Sequence, residues 1–174
     1  MEDGKKSLVN AVAAAGYDAG EKPFDFISAG TETALVCEAD PAIKEKITKA
    51  LKNMDYQVTE PVTGREALKS MRFHSYDLVV VNEKFDGTDN ETSSNEVLYY
   101  LQNLAAAARR NIFVALLSDN YRTMYYMMAF NNSVNMVINK KNIDDFATII
   151  QRGLADNQAF YGIFKEALKK LGRV

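Results

Sequence analysis

The sequence predicts an α/β fold, with a doubly wound parallel sheet of five strands covered by helices on both faces. From Thr33 onward, short apolar runs alternate with amphipathic stretches for five cycles, as they do in βαβ units. The third apolar run, residues 78–81, is unbroken and rich in β-branched side chains. Such a run is typical of a central strand that helices cover on both faces.

Composition and charge exclude several classes of protein. Of the 174 residues, 47% are hydrophobic and 25% are charged, which is typical of a globular chain. The formal net charge is -2 and Lys and Arg form no stripe, so we expect no nucleic-acid partner. Cys37 is the single cysteine, which excludes an internal disulfide framework. The chain has neither a run of ~20 apolar residues nor a signal-like start, so we expect a cytoplasmic protein with no membrane partner.

The first strand and helix are marked by a short apolar run and a helix cap. Residues 34–37 are apolar, Asp40 is a suitable N-cap and Pro41 suits the first helical position. The helix that follows has one apolar face, formed by Ile43, Ile47, Leu51 and Met54.

Caps and loops delimit the next units in the same way. Residues 56–60 are predicted to form the second strand, and Thr63 and Glu66 form a capping box before the second helix. A polar loop over 85–95 precedes a third helix, and 112–117 form the fourth strand. The residues of the third helix expected to face inward are Val97, Leu101 and Leu104.

The last predicted elements are unusually rich in apolar side chains. Residues 121–130 are predicted to form a helix that is apolar nearly all round, and 134–138 form the fifth strand. From Asn142 to the C-terminus, apolar side chains keep near-helical spacing, so either one very long helix or two abutting helices close the chain.

Three segments follow from this organisation. Residues 1–32 form an N-terminal arm with one short helix expected near 8–15, and residues 33–154 form the α/β domain. Residues 155–174 form a helical extension.

Polar side chains gather where the predicted strands end. In parallel α/β sheets, functional groups collect beyond these carboxyl ends. Here the residues at those ends are Glu38, Ala39, Asp40, Asn82, Ser118 and Lys140.

Four segments around these positions resemble the response-regulator receiver (CheY-like) family. They are LVCEADP at 35–41, GREAL at 64–68, DLVVVN at 77–82 and VINK at 137–140. The resemblance covers most of the chain and implies a flavodoxin-like fold and a role in two-component or phosphorelay signal transduction.

The resemblance also implies a chemistry that the chain does not retain. Receivers use a carboxylate nucleophile and a divalent ion held by acidic side chains. Asn82 stands at the acceptor position, Ala39 replaces an acidic residue, and Val137 stands at the aromatic switch position. We therefore expect a degenerate receiver with no catalytic residue, no metal site and no cofactor, and weak Mg²⁺ binding at most.

The other two pocket residues have plainer interpretations, which we favour. Ser118 is expected to end a strand, and Lys140 is expected to pair with Glu38. Asn82, beside Lys140 and Glu38, is then expected to form a permanent hydrogen-bonded network with them.

Surplus apolar surface predicts binding partners. A surface helix needs one apolar stripe, and 121–130 has more. We expect a signalling-protein partner and a homodimer in which the extension packs across the interface, supported by the N-terminal stretch. The residues expected to bind partners are Tyr121, Met124, Tyr125, Met128, Phe160, Phe164 and Leu168.

Two alternatives remain open. One is a working receiver that uses another acid, Glu83 or Asp86, as its phosphoacceptor. The other is a small-ligand-binding module with a flavodoxin-like fold, although P-loop and dinucleotide fingerprints are absent and we expect no enzyme. His74 and Cys37 lack the neighbours that metal binding or catalysis requires.

Overall fold

A parallel five-stranded sheet organises the chain, as the sequence predicted. The computed structural model describes residues 30–85 and 95–172. The strands lie in the order β2-β1-β3-β4-β5, and all four pairings are parallel. Their bounds are β1 Thr33–Cys37, β2 Gln57–Thr59, β3 Leu78–Asn82, β4 Phe113–Ser118 and β5 Met136–Asn139.

Helices connect the strands, and both predicted caps are confirmed. The Asp40 side chain accepts from the backbone N–H groups of Ala42 and Ile43, and Thr63 accepts from Glu66 N. The helices are α1 Pro41–Lys52, α2 Gly64–Phe73, α3 Glu96–Gln102, α4 Ala106–Arg109, α5 Tyr126–Asn131 and α6 Phe146–Lys170, with a 3₁₀ helix at Lys140–Asp145 before α6.

The sheet is buried on both faces. Leu78 and Val80 of β3 pack into one apolar cluster, whereas Val79 and Val81 pack into the other. The first cluster includes residues of α1 and α6, and the second includes residues of α2, α3 and α5. β5 lies at the edge of the sheet. It is flanked by α5 on one face and by α6 on the other.

The predicted helix over 121–130 is wrong at its start. The helix begins at Tyr126, and the preceding residues form a turn in which Met124 has a φ of 60° and donates its N–H to Val137 O at 2.8 Å. Tyr121 and Met124 pack partly buried against the two apolar clusters. Their apolar character therefore reports burial in a turn, which periodicity alone does not distinguish from a helix.

A single helix closes the described chain. α6 runs for 25 residues and continues past the amino edge of the sheet. Asn157 Oδ1 accepts from Asn135 Nδ2 at 3.2 Å, and the Arg110 guanidinium lies 5.0 Å from the centre of the Phe164 ring. These contacts attach the extension to the domain in the same chain. The helix expected near 8–15 lies outside the described residues.

The C-terminal half of α6 and its C-cap residue Leu171 carry a line of poorly covered apolar side chains, which we call the α6 stripe. Exposure is 78% for Phe160, 83% for Ile163 and 68% for Leu171. The α6 stripe comprises Phe160, Ile163, Phe164, Ala167 and Leu171. In the part of the chain that the structure describes, no helix is long and apolar enough to cross a membrane.

Candidate functional site

The carboxyl edge of the sheet brings together only part of the predicted pocket. Glu38 follows β1, Asn82 ends β3, Ser118 ends β4, and Lys140 follows β5. Glu38, Asn82 and Ser118 are buried, with exposures of 1%, 4% and 0%. Glu38 and Asn82 contact each other, whereas Ser118 and Lys140 have other partners.

Glu38 and Asn82 form a closed pair. Asn82 Nδ2 donates to Glu38 Oε1 at 2.8 Å and to Oε2 at 3.0 Å. The backbone N–H groups of Ala39 and Asp40 also donate to Oε1, at 2.8 and 3.0 Å. Hydrogen bonds from N–H donors thus stabilise the buried carboxylate, which would otherwise be costly to remove from water.

The orientation of the Asn82 amide is set by partners on both sides. Its Oδ1 accepts from Lys84 N at 2.9 Å, so its Nδ2 is the atom left to face the carboxylate. Its backbone carbonyl accepts from Asn95 Nδ2 at 2.6 Å. Asn95 Oδ1 in turn caps α3 by accepting from Val97 N and Leu98 N. The network therefore links β1, β3 and the start of α3.

Ala39 and Asp40 do not complete an acidic site. Asp40 is exposed and its carboxylate caps α1, while Ala39 has only a methyl group. A Mg²⁺ ion prefers several oxygen ligands, yet among the described residues of the pocket Glu38 is the one carboxylate that does not cap a helix, and both of its oxygens already accept N–H groups. The residues present do not fit this ion. Among the described residues, no three His, Cys, Asp or Glu side chains are grouped to hold a metal.

Ser118 ends β4, as the sequence predicted. Its Oγ accepts from Asn120 N at 3.0 Å and from Tyr121 N at 3.1 Å. The hydroxyl therefore closes the turn that follows β4.

The expected pair between Lys140 and Glu38 is wrong. Lys140 Nζ instead lies 3.4 Å from Asp119 Oδ2, which lies at the same distance from Lys84 Nζ. Partial burial acts to raise the pKa of Asp119, but Lys140 and Lys84 outweigh it and hold that pKa below its usual value. The N–H donors already satisfy Glu38, so the lysine pairs with the acid nearer to it. The sequence analysis did not identify Asp119 as the partner of Lys140. Its position directly after β4, at the same edge of the sheet, was the signal that could have identified it.

Of the two acids considered as alternative phosphoacceptors, the structure describes only Glu83. Glu83 Oε1 accepts from Asp119 N at 3.1 Å, so this side chain lies toward the loop after β4. Asp86 lies outside the described residues.

The partner-binding residues predicted around α5 are only partly exposed. Tyr121, Met124 and Met128 pack partly buried against the apolar clusters, and Tyr125 lies half-buried with the Arg122 guanidinium 5.1 Å from its ring centre. Sequence reasoning missed the more exposed apolar side chains, because a helix that is apolar nearly all round does not show which of its faces is buried. These form what we call the α5 patch, with their exposures: Tyr126 68%, Met127 62% and Phe130 80%.

The predicted residues of the extension also differ in exposure. Phe160 is exposed, Phe164 is 39% exposed and Leu168 is half-buried. Ile163, which the sequence analysis did not single out, is more exposed than any of them.

Comparison with known proteins gives matches among solved structures only. No protein-family model matches the chain, and no curated protein matches it. A CheY-like response regulator receiver domain protein from Methanospirillum hungatei JF-1 matches with a TM-score of 0.56 at 18% identity, over 74% of this chain and 97% of that one. The signal receiver domain of a signal transduction histidine kinase from Syntrophus aciditrophicus matches with a TM-score of 0.55 at 20% identity, over 72% and 91%.

A third match has the same character. A DNA-binding response regulator of the LuxR family from Staphylococcus aureus matches with a TM-score of 0.54 at 17% identity, over 70% of this chain and 98% of that one. At these identities the likeness concerns the fold. The chain has the flavodoxin-like fold of CheY-like receiver domains, as its sequence predicted.

Proposed function

We propose that this chain is a degenerate receiver module of a two-component signalling pathway, acting in the cytoplasm through protein contacts and without aspartyl phosphorylation, bound metal or enzymatic activity. The observation that carries the proposal is the Asn82 amide, which donates to both oxygens of the buried Glu38 carboxylate.

This geometry removes the nucleophile that phosphotransfer needs. Formation of an acyl phosphate requires an anionic carboxylate oxygen that can approach phosphorus. At residue 82 an N–H donor faces the pocket, and Oδ1 accepts from Lys84 N. Glu38 is itself buried and accepts N–H groups at both oxygens, so it is not free to attack.

The same network supports signalling by partner binding. A buried and fully satisfied polar network favours one arrangement of the elements that it joins. Here it joins β1, β3 and α3 without any ligand. We infer that the signal depends on which proteins bind the chain, because no phosphoryl group is added that would change the charge of the pocket.

A phosphorylation assay tests the proposal directly. Incubation with acetyl phosphate and Mg²⁺ is expected to add no phosphoryl mass to the intact chain, and incubation with a phosphorylated histidine kinase is expected to add none. A receiver with an intact acceptor aspartate serves as the positive control. An added phosphoryl group that peptide mapping places on Glu83 or Asp86 would contradict the proposal and favour the working-receiver alternative.

We propose that the edge formed by α5, β5 and α6 binds the partners. α5 presents the α5 patch on one side of β5, and α6 presents the α6 stripe beyond the other. Aromatic and methionine side chains are enriched at protein interfaces. We assign the α5 patch to a signalling protein and the α6 stripe to a second copy of the chain.

Phe130→Asp is expected to abolish binding of the signalling partner. Phe130 is 80% exposed, so we expect the free energy of unfolding to change by no more than ~0.5 kcal/mol. The measurement is photo-crosslinking in cells from a reactive amino acid placed at Met127, with and without the substitution. Asn131→Asp, which adds the same charge at the next position, is the control. An unchanged crosslinked product in the Phe130→Asp chain would count against the α5 patch.

A further inference from the structure

The α6 stripe has the spacing of a coiled-coil seam. Phe160, Phe164, Ala167 and Leu171 follow one another at intervals of four, three and four residues. Alternation of fours and threes is the pattern by which apolar side chains face a second helix of the same period. The charged residues of this stretch, Lys165, Glu166, Lys169 and Lys170, all lie off these four positions.

The domain covers this seam only at Phe164, where the Arg110 guanidinium lies 5.0 Å from the ring centre, and it leaves Phe160 and Leu171 largely exposed. On α6, Gln151 and Ala147 line a groove shared with α1, and Gln158 and Lys165 line a cleft at the amino edge of the sheet. At the ~100° per residue of an α-helix, the α6 stripe lies about 150° around the helix from these positions. The stripe therefore faces away from α1, on the side of the sheet edge at β5.

A second copy of the chain is the occupant that this surface fits. A narrow seam of heptad spacing requires a helix with the same spacing, and the chain supplies one in every other copy. Two copies related by a twofold axis bury the same patch on both sides. We propose that two copies pair through the α6 stripe as an antiparallel coiled coil, an inference that rests on the homodimer proposed above.

Side-chain size favours the antiparallel direction. In that arrangement Phe160 faces Leu171 of the other copy, and Phe164 faces Ala167. Each layer then combines a larger side chain with a smaller one, which gives layers of even thickness. A parallel pair would place Phe164 against Phe164 and Ala167 against Ala167. The phenylalanine layer would then be overpacked, and the alanine layer next to it would leave a gap.

Charge favours the same direction. Lys169 and Lys170 lie at the end of α6, and in a parallel pair they would lie beside their own copies. In the antiparallel pair Lys170 lies opposite position 161 of the other copy. The two Lys170 side chains are then nine residues apart along the axis, or about 13 Å. This exceeds the screening length of about 8 Å at physiological salt, so their repulsion is largely removed.

Cysteine crosslinking of the full chain tests the direction. The native Cys37 is fully buried, and burial raises the pKa of its thiol, so it does not compete in the assay. We expect a disulfide when ¹⁵N-labelled Phe160→Cys is mixed with unlabelled Leu171→Cys, identified by its intermediate mass. Leu171→Cys alone is expected to give little disulfide, because the two copies of position 171 lie eleven residues, or about 16 Å, apart along the axis. Lys169→Cys, on the outer face, is the matched control.

Each other outcome overturns the inference in a distinguishable way. Crosslinking of Leu171→Cys with itself would show a parallel pair. A dimer in light scattering without the mixed disulfide would mean that another surface forms it, leaving the proposed homodimer intact. A monomer at tens of micromolar would overturn both the homodimer and the coiled coil.

Discussion

Asn82→Asp is expected to lower the free energy of unfolding by about 3 kcal/mol or more at neutral pH, the cost typical of an uncompensated buried charge. Asn82 Nδ2 lies 2.8 Å from Glu38 Oε1, so the substitution sets two carboxylates against each other in a buried site. Burial and like charge both favour the protonated form of such a pair. The loss should therefore be largest at neutral pH and shrink as the pH falls far enough to protonate one carboxyl. Urea denaturation at several pH values measures it.

The double variant Glu38→Gln with Asn82→Asp is the matched control. It exchanges the amide and the carboxylate, so the introduced amide donates to residue 82 while its oxygen still accepts from Ala39 N and Asp40 N. We expect this variant to recover most of the stability lost in Asn82→Asp. If Asn82→Asp alone stays within ~0.5 kcal/mol of the parent chain, the Glu38 and Asn82 pair is not the stabilising contact that we describe.

Magnesium extends the same test to metal binding. Adding Ala39→Asp to Asn82→Asp places further carboxylates at the pocket, which a hard divalent cation prefers. We expect Mg²⁺ to raise the Tm of this double variant and its Mg²⁺ affinity to exceed that of the parent chain by several-fold or more. A Tm that Mg²⁺ leaves unchanged would mean that the loops, and not only these side chains, do not suit a metal ion.

The fold was predictable because local signals and the global pattern agree. The run that became β3 is apolar at successive positions, and its residues alternate between the two apolar clusters. Asp40 and Thr63 predicted helix starts because each side chain accepts a backbone N–H that the first turn of a helix leaves unpaired. These signals depend only on residues near in sequence.

The candidate site was less predictable because its contacts join distant residues. Sequence position placed Glu38 and Asn82 at the same edge, and the structure pairs them. Position did not reveal that the N–H donors of Ala39 and Asp40 would occupy Glu38, leaving Lys140 to Asp119. Which acid a flexible lysine meets depends on loop paths that composition does not encode.

The start of α5 shows a second limit. Tyr121 and Met124 continue the apolar character of the helix that follows, yet they lie in a turn and pack on the core. Because the predicted helix was apolar nearly all round, its pattern did not show which face is buried, and the sequence assigned partner binding to half-buried residues such as Met128. The exposed α5 patch became visible only in the packed structure.

Ile163→Asp is expected to convert the proposed dimer into a monomer. Ile163 is 83% exposed in the single chain and flanks the seam of the α6 stripe, so a dimer would bury it in both copies. Burying one such side chain is worth about 1.5 to 3 kcal/mol, and each 1.4 kcal/mol changes an equilibrium tenfold. Losing two should raise the dimer Kd by roughly a hundredfold or more. Light scattering across a concentration series gives the Kd of each chain.

Gln158→Asp is the control, because it adds the same charge to α6 on the side that lines the amino-edge cleft. It should leave the dimer Kd within about threefold of the parent value, since a surface charge outside the interface contributes little. Truncation after Leu154 should also give a monomer, and circular dichroism must show that its α/β domain still folds, because the cut removes the contact between Asn157 and Asn135. If the full chain is a monomer, or if Ile163→Asp and Gln158→Asp dimerise equally well, the α6 stripe is not the dimer surface.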